Sequence, residues 1–295
     1  LEICLAGLVF VSLRLTEWEV APVKLAAVKL AVLLLFSLGW YHGVRTIIDG
    51  QFAGVNAVLI GLALLFVWQK SDVAAGIFLA LSTSKPQMVF LLVPFVLLWA
   101  VSRRRWRLVG GLLGGSAALL VGSLALIPDW PLQMLRQMLE YPDYTNIGSP
   151  ISIIANAMPG IGRTLNGVLT VFFALYLLIE WGLAWGKDDR WFLWTAMMTL
   201  VVTNLVALRT ATTNYVVLLP VLFLIFRVWE QRWKRAGRVG VWISLFVLLA
   251  GLWALFIVTV QGNVESAWMY LPLPFFCLLG LWWVRWWAVR PPRLM

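Results

Sequence analysis

The stretch GQFAGVNAVLIGLALLFVWQKSDVAAGIFLALSTSKPQMVFLLVPFVLLWAVSRRRWR, residues 50–107, decides the fold. It opens on a polar turn, runs apolar through 52–68, and breaks at Lys70, Ser71 and Asp72. Two shorter apolar segments follow, 73–84 and 86–101, parted by Lys85–Pro86, and the stretch closes on arginines. Apolar runs of this kind suit a hydrocarbon core about 30 Å thick, which a helix of about 20 residues crosses. They lack the in/out alternation of a barrel strand. A backbone in lipid must satisfy its own hydrogen bonds, so these runs read as helices.

The same reading extends along the whole chain. Hydrophobic residues make up 62% of it and charged residues 12%, against about a quarter charged in a soluble domain. Apolar runs and breakers predict an all-α, polytopic transmembrane bundle with about eleven crossings: 1–13, 23–41, 52–68, 73–84, 86–101, 108–127, 165–185, 191–208, 214–229, 239–260 and 268–287. All 295 residues form one transmembrane domain, with 128–164 as a long loop whose PLQMLRQML stretch has the spacing of an interfacial helix. Segments 73–84 and 86–101 are short, and read either as a hairpin or as one helix kinked at Pro86. Charge parity favours the hairpin.

Basic residues cluster between apolar runs: Arg103, Arg104, Arg105 and Arg107; then Arg232, Lys234, Arg235 and Arg238; then Arg285, Arg290 and Arg293. That is the positive-inside pattern. It accounts for the net charge of +10 without a nucleic-acid partner. Even numbers of crossings separate the three clusters, so all three fit one cytoplasmic face. Residues 42–51, Lys85–Pro86, 128–164, 209–213 and 261–267 then fall outside. Many of the 19 tryptophans lie near run ends, as interfacial anchors do. Two cysteines in apolar segments and one histidine give no disulfide framework and no metal cluster. The chain opens on Leu1 inside an apolar run, without a basic leader, and reads as a fragment of a longer protein.

Ionisable groups among membrane helices are functional candidates. Lys85 leads them, because Pro86 biases the residue before it away from helix and a lysine there is a compact cation for a phosphate. Asp49-Gly50-Gln51 followed by Asn56 forms a polar helix entrance; the plain alternative is a turn. LRTATTNYVVLLP, residues 208–220, adds Arg209, Asn214 and Tyr215. Glu180, near a helix end, reads as structural.

Gly50–Gln51, Ala75–Gly76, Lys85–Pro86 and Arg103–Arg107, in that order and spacing, resemble the conserved core of glycosyltransferase family 87. These are GT-C-fold enzymes related to the polyprenyl-phosphate-mannose-dependent α-mannosyltransferases. The resemblance covers about 58 residues and extends loosely to about residue 220. Members commonly carry histidine in the segment matching 209–215, which here reads RTATTNY, and the asparagine after the GQ pair is displaced to Asn56.

The resemblance implies an inverting transfer of a sugar, mannose in the first instance, from a polyprenyl-phosphate donor to a lipid or glycan acceptor. It implies no cofactor, and a bacterial plasma-membrane protein with its site on the extracytoplasmic side. Lys85, Arg209 and Gln51 would hold the donor phosphate, and Asn56, Asn214, Tyr215 and His42 would contact substrate. The catalytic base would lie upstream of residue 1, with Asp49 the carboxylate available within this chain. The rival reading is a transporter or flippase of lipid-linked saccharides, for which the matched interrupted helices of internal repeats are not evident.

Overall fold

A computed structural model describes residues 1–18, 23–144, 148–207, 210–262 and 264–290. The described residues are helical throughout, and their one β-bridge joins Gln261 and Val264 across a turn. The helices are α1 (Glu2–Thr16), α2 (Val23–Gly39), α3 (Tyr41–Ile48), α4 (Ala53–Trp68), α5 (Asp72–Ser82), α6 (Leu92–Ser102) and α7 (Trp106–Leu126). They continue as α8 (Trp130–Tyr144), α9 (Pro150–Asn156), α10 (Gly162–Ala184), α11 (Asp189–Val206), α12 (Leu219–Phe246), α13 (Leu252–Thr259) and α14 (Pro272–Val289).

Among the described residues four helical stretches are long and apolar enough to cross a membrane alone: 106–126, 162–184, 212–259 and 267–289. A bent pair, Ala27–Gly39 with Tyr41–Ile48, makes a fifth. Helices α4, α5 and α6 are apolar but run only 16, 11 and 11 residues, short of the roughly 20 that a full hydrocarbon core takes. Large apolar side chains cover the outer faces of α7 and α10, among them Leu113, Val121, Val171, Phe172 and Ile179. Such faces belong in lipid, and the protein is membrane-embedded.

The centre of the bundle is α11 with the chain from Thr212 into α12. Phe192–Asn204 and Thr212–Phe226 are buried without interruption. Three polar residues of α11 bond back to their own helix: Thr199 and Thr203 donate to the carbonyls of Thr195 and Thr199, and Asn204 to Leu200. That satisfies them where no water reaches. The closest helix pair, α5 against α7, works through missing side chains. Gly111 lies so near the Val73 carbonyl that an added Cβ would sit 2.6 Å from it, and Gly76 packs equally tightly on the α7 backbone. Small residues let membrane helices approach in this way.

Ion pairs mark one end of the bundle. Arg105 binds Asp72 and the Val67 carbonyl, Lys70 binds Asp189, and Arg103 donates to the Gly186 carbonyl at 3.1 Å. Lys29 and Trp18 both reach Glu230, at 2.9 and 2.7 Å. Glu180 accepts two bonds from Arg285, at 3.0 and 3.1 Å, and is a structural partner of α14. Because Asp72 opens α5 and Arg105 follows α6, those two helices leave this basic end and return to it as the legs of a hairpin.

Several boundaries differ from the sequence reading. Residues 42–51 are mostly helix α3, since an Arg45–Asp49 pair at i, i+4 spacing supports a helical turn. Trp40 is extended (φ −69°, ψ 155°) and bends α2 into α3 by 55°; Gly43 fits there because a Cβ would strike the Ser37 carbonyl and the Trp40 ring. The break at Lys85–Pro86 spans 83–91, with Pro86–Met88 in a 3-10 turn. Segment 128–164 contains α8, which includes the PLQMLRQML stretch, and also α9. Residues 230–238 are helical up to a sharp reversal at Lys234 (φ 47°, ψ −110°), which folds Gly237 onto the Trp229 carbonyl. The chain from Thr212 to Thr259 is therefore two antiparallel legs. Finally, 212–218 winds as a 3-10 helix before α12.

Candidate functional site

The polar end of the bundle, opposite the ion pairs, gathers residues from five separate stretches. Its floor is the turn after α3. There Gly50 takes a left-handed conformation (φ +59°), and the Gly50 and Gln51 amides bond back to Ile47 and Thr46, at 3.2 and 3.0 Å. This is a Schellman cap, in which glycine avoids the Cβ penalty. The Asp49-Gly50-Gln51 motif is thus a helix stop, and it lifts Gln51 beside Lys85, whose Nζ donates to Gln51 Oε1 at 3.4 Å.

Lys85 is the N-cap residue of the 3-10 turn and forms no ion pair among the described residues. Burial pulls its ammonium down to about 8, because an unpaired charge is costly away from water. Next to it, Ser84 donates to Asn56 Oδ1 at 3.5 Å, and Asn56 Nδ2 lies 3.6 Å from Met88 Sδ. Asn56 is fully enclosed. It braces the Lys85 turn from below and does not open on the surface.

A second group, absent from the sequence reading, centres on Glu265. Its Oε1 accepts from the Tyr41 hydroxyl at 2.6 Å and from Thr212 Oγ1 at 2.7 Å, and its Oε2 from Thr212 at 3.0 Å. Burial pushes the carboxyl above the usual carboxylate range. The Tyr41 and Thr212 bonds and Arg45 act against that shift, and Asp49 adds to it. Arg45 pairs with Asp49 at 3.0 Å, while its Nε has no partner. Beyond them a cleft of about 330 Å³ opens between Arg45, Phe256, Val260, Gly262 and Glu265. Glu265 carries no motif; its one signal is a carboxylate in a short connection between apolar runs.

The remaining candidates lie deeper. His42 is wholly buried with its ring edge-on to Trp40, Tyr41 and Tyr215 at 5.2 to 5.4 Å. Neither ring nitrogen makes a hydrogen bond of good geometry, although the Thr212 main chain lies close by. Tyr215 is also sealed, and donates to the Tyr270 carbonyl at 3.1 Å. Asn214 donates to Thr210 Oγ1 at 3.2 Å and leaves Oδ1 unpartnered. Arg209 lies outside the described residues. Lys85, Gln51 and Asp49 thus lie on two neighbouring surface turns, whereas Asn56, His42, Asn214 and Tyr215 form the packed layer beneath them.

Chemically, the arrangement offers a cation without a counter-ion, two carboxylates in distinct settings, and a small cleft with an aromatic wall. No group of three metal-ligating side chains occurs among the described residues. No family model, no curated protein and no solved structure matches the chain.

Proposed function

We propose that this protein is a membrane glycosyltransferase of GT-C type, moving a sugar, mannose in the first instance, from a polyprenyl-phosphate donor to a lipid or glycan acceptor. The observation that carries this reading is Lys85. It is a lysine withdrawn from water at a helix break, without a carboxylate partner among the described residues and with Gln51 3.4 Å away. A half-buried cation held in this way is preorganised for an anion, and the charge that grows during polyprenyl-phosphate departure is such an anion.

In this reading the basic end faces the cytoplasm, by the positive-inside rule, and the polar end faces outward in a bacterial plasma membrane. The chain makes about eleven passes, the short ones within a protein-lined, thinned region. Lys85 and the Gln51 side chain hold the donor phosphate, with Arg209 beside them. A carboxylate takes the acceptor hydroxyl proton, and Asp49, paired with Arg45, is the one available for it beside Lys85 in this chain. The acceptor oxygen bonds to C1 as the C1–O bond to phosphate breaks, with inversion, and the lipid phosphate leaves with the electron pair. Donor selectivity comes from the lipid-linked phosphate, in keeping with the lack of a nucleotide-binding glycine loop in the sequence.

The test is reconstitution of the full protein in liposomes with polyprenyl-phosphate mannose and a glycan acceptor. The expected result is a glycosylated acceptor in the wild type and a loss of about 100-fold in Lys85→Ala, the scale set by removing one preorganised donor. Movement of intact donor between leaflets without transfer would establish the flippase reading instead.

A further inference from the structure

We propose that the cleft between α3 and the turn at 260–266 is a subsite for a neutral pyranose ring, held through two adjacent hydroxyls by Glu265 and Arg45 with Phe256 as its apolar wall. It deepens the reading above, on which it rests for the statement that the ring belongs to a transfer substrate.

Three observations carry it. The first is size: about 330 Å³ is at the lower end of the ~300–1,000 Å³ of small-molecule pockets, which suits one ring. The second is the balance of charge. Glu265 and Asp49 set two carboxylates against the single guanidinium of Arg45. A phosphate would be repelled by the pair, whereas a polyol supplies donors to a carboxylate and acceptors to a guanidinium. The third is unused capacity. Glu265 Oε2 accepts one bond, from Thr212 at 3.0 Å, and keeps a further lone pair, while the 31% exposed Arg45 side chain lines the cleft with a guanidinium donor. A diol would donate to the one and accept from the other.

The rest of the cleft is built to hold these groups still. Phe256 packs against Tyr41 at 5.0 Å, and Tyr41 in turn bonds Glu265. Trp253, from the same helix as Phe256, donates to the Gly39 carbonyl at 2.8 Å and ties α13 to the α2–α3 bend. Gly262, left-handed at φ +60° and without contacts around the position of a Cβ, leaves the mouth open.

The experiment uses the full chain in lipid nanodiscs with methyl α-mannopyranoside as probe, read by saturation-transfer NMR. The expected result is saturation of the ring protons in the wild type, and affinity at least tenfold weaker in Glu265→Gln and in Phe256→Ala. Arg45→Gln, at a part-exposed side chain, gives the same loss should the other variants elute as unfolded protein. Inorganic phosphate leaves the probe bound. Displacement by polyprenyl-phosphate mannose assigns the ring to the donor, and displacement by a phosphate-free oligomannoside to the acceptor; both uphold the subsite. Absence of a wild-type signal, unchanged affinity in folded Glu265→Gln, or displacement by phosphate overturns it. Wild-type protein that binds the mannoside through Glu265 yet transfers nothing overturns the transfer reading alone. Transfer undiminished in Glu265→Gln overturns the subsite alone.

Discussion

At the basic end of the bundle, charged groups find one another; at the polar end, the Arg45–Asp49 pair aside, they do not. Arg105, Lys29 and Arg285 each meet a carboxylate, and Arg103 and Arg227 reach main-chain carbonyls at the ends of neighbouring helices. Lys85 meets only the Gln51 amide, and Glu265 only hydroxyls. The helix ends differ in the same way. Three helices at the basic end stop on charged residues in the left-handed region, Glu17, Lys70 and Arg104 (φ 48°, 62° and 54°), with Gly186 (φ 69°) after a fourth, while left-handed turns at the polar end use glycine alone among the described residues, at Gly50, Gly160 and Gly262. Paired charges and capped helices hold the bundle, and unpaired groups on glycine turns are available to a ligand. In the proposed reading, stability and chemistry are divided between the two ends.

The sharpest break of that division is Arg105→Ala. The Arg105–Asp72 pair is largely buried, at 11% and 17% side-chain exposure, and leaving Asp72 without its partner should cost about 3–5 kcal/mol, seen as a lower midpoint of thermal unfolding in nanodiscs. Folded Arg105→Ala protein should transfer sugar as the wild type does. Lys85→Ala should do the reverse: transfer lost by about 100-fold, with an unfolding midpoint unchanged or higher, because the substitution removes a half-buried charge that has no ion-pair partner among the described residues.

The pH profile sharpens the comparison further. Lys85 titrates at about 8 in the fold, against 10.5 ordinarily. The desolvation penalty on its charge is therefore fully present below pH 8 and is relieved as pH rises towards 10.5, so its contribution to stability improves over that window. Transfer should move the opposite way, falling roughly tenfold per unit above pH 8 as the cation is lost. Lys85→Arg should flatten that fall, since a guanidinium stays charged. The smallest effect belongs to Arg104→Gly, which relieves a left-handed residue and should raise stability by about 1 kcal/mol with no change in transfer.

What could be read from the sequence follows from how local each signal is. Helix α4 was expected at 52–68 and lies at Ala53–Trp68, because a continuous apolar run and a polar break are properties of neighbours in the chain. The Lys85 break was legible for the same reason, though Pro86 opens a 3-10 turn and delays α6 to Leu92. Helix α3 was read as a connection because His42, Gly43, Arg45 and Asp49 interrupt the apolar pattern, while the i, i+4 pair that supports it is a weak cue. Glu265 could not be found by spacing: its partner Tyr41 is 224 positions away. The packed layer of Asn56, Asn214 and Tyr215 was placed at the site by sequence order, but whether a polar side chain opens on a cleft or braces its floor is fixed only by tertiary contacts.

The brevity of α5 and α6 has a consequence for the surrounding lipid. Eleven residues rise about 16 Å as a helix, roughly half of a 30 Å hydrocarbon core. The hairpin that carries Lys85 therefore imposes a hydrophobic mismatch on the bilayer beside it, and lipids there must shorten or tilt. In the proposed reading, acyl-chain length then becomes a control on this protein: thin bilayers of short-chain lipid should relax the mismatch and ease a lipid-linked phosphate towards the lysine, and thick bilayers should oppose it.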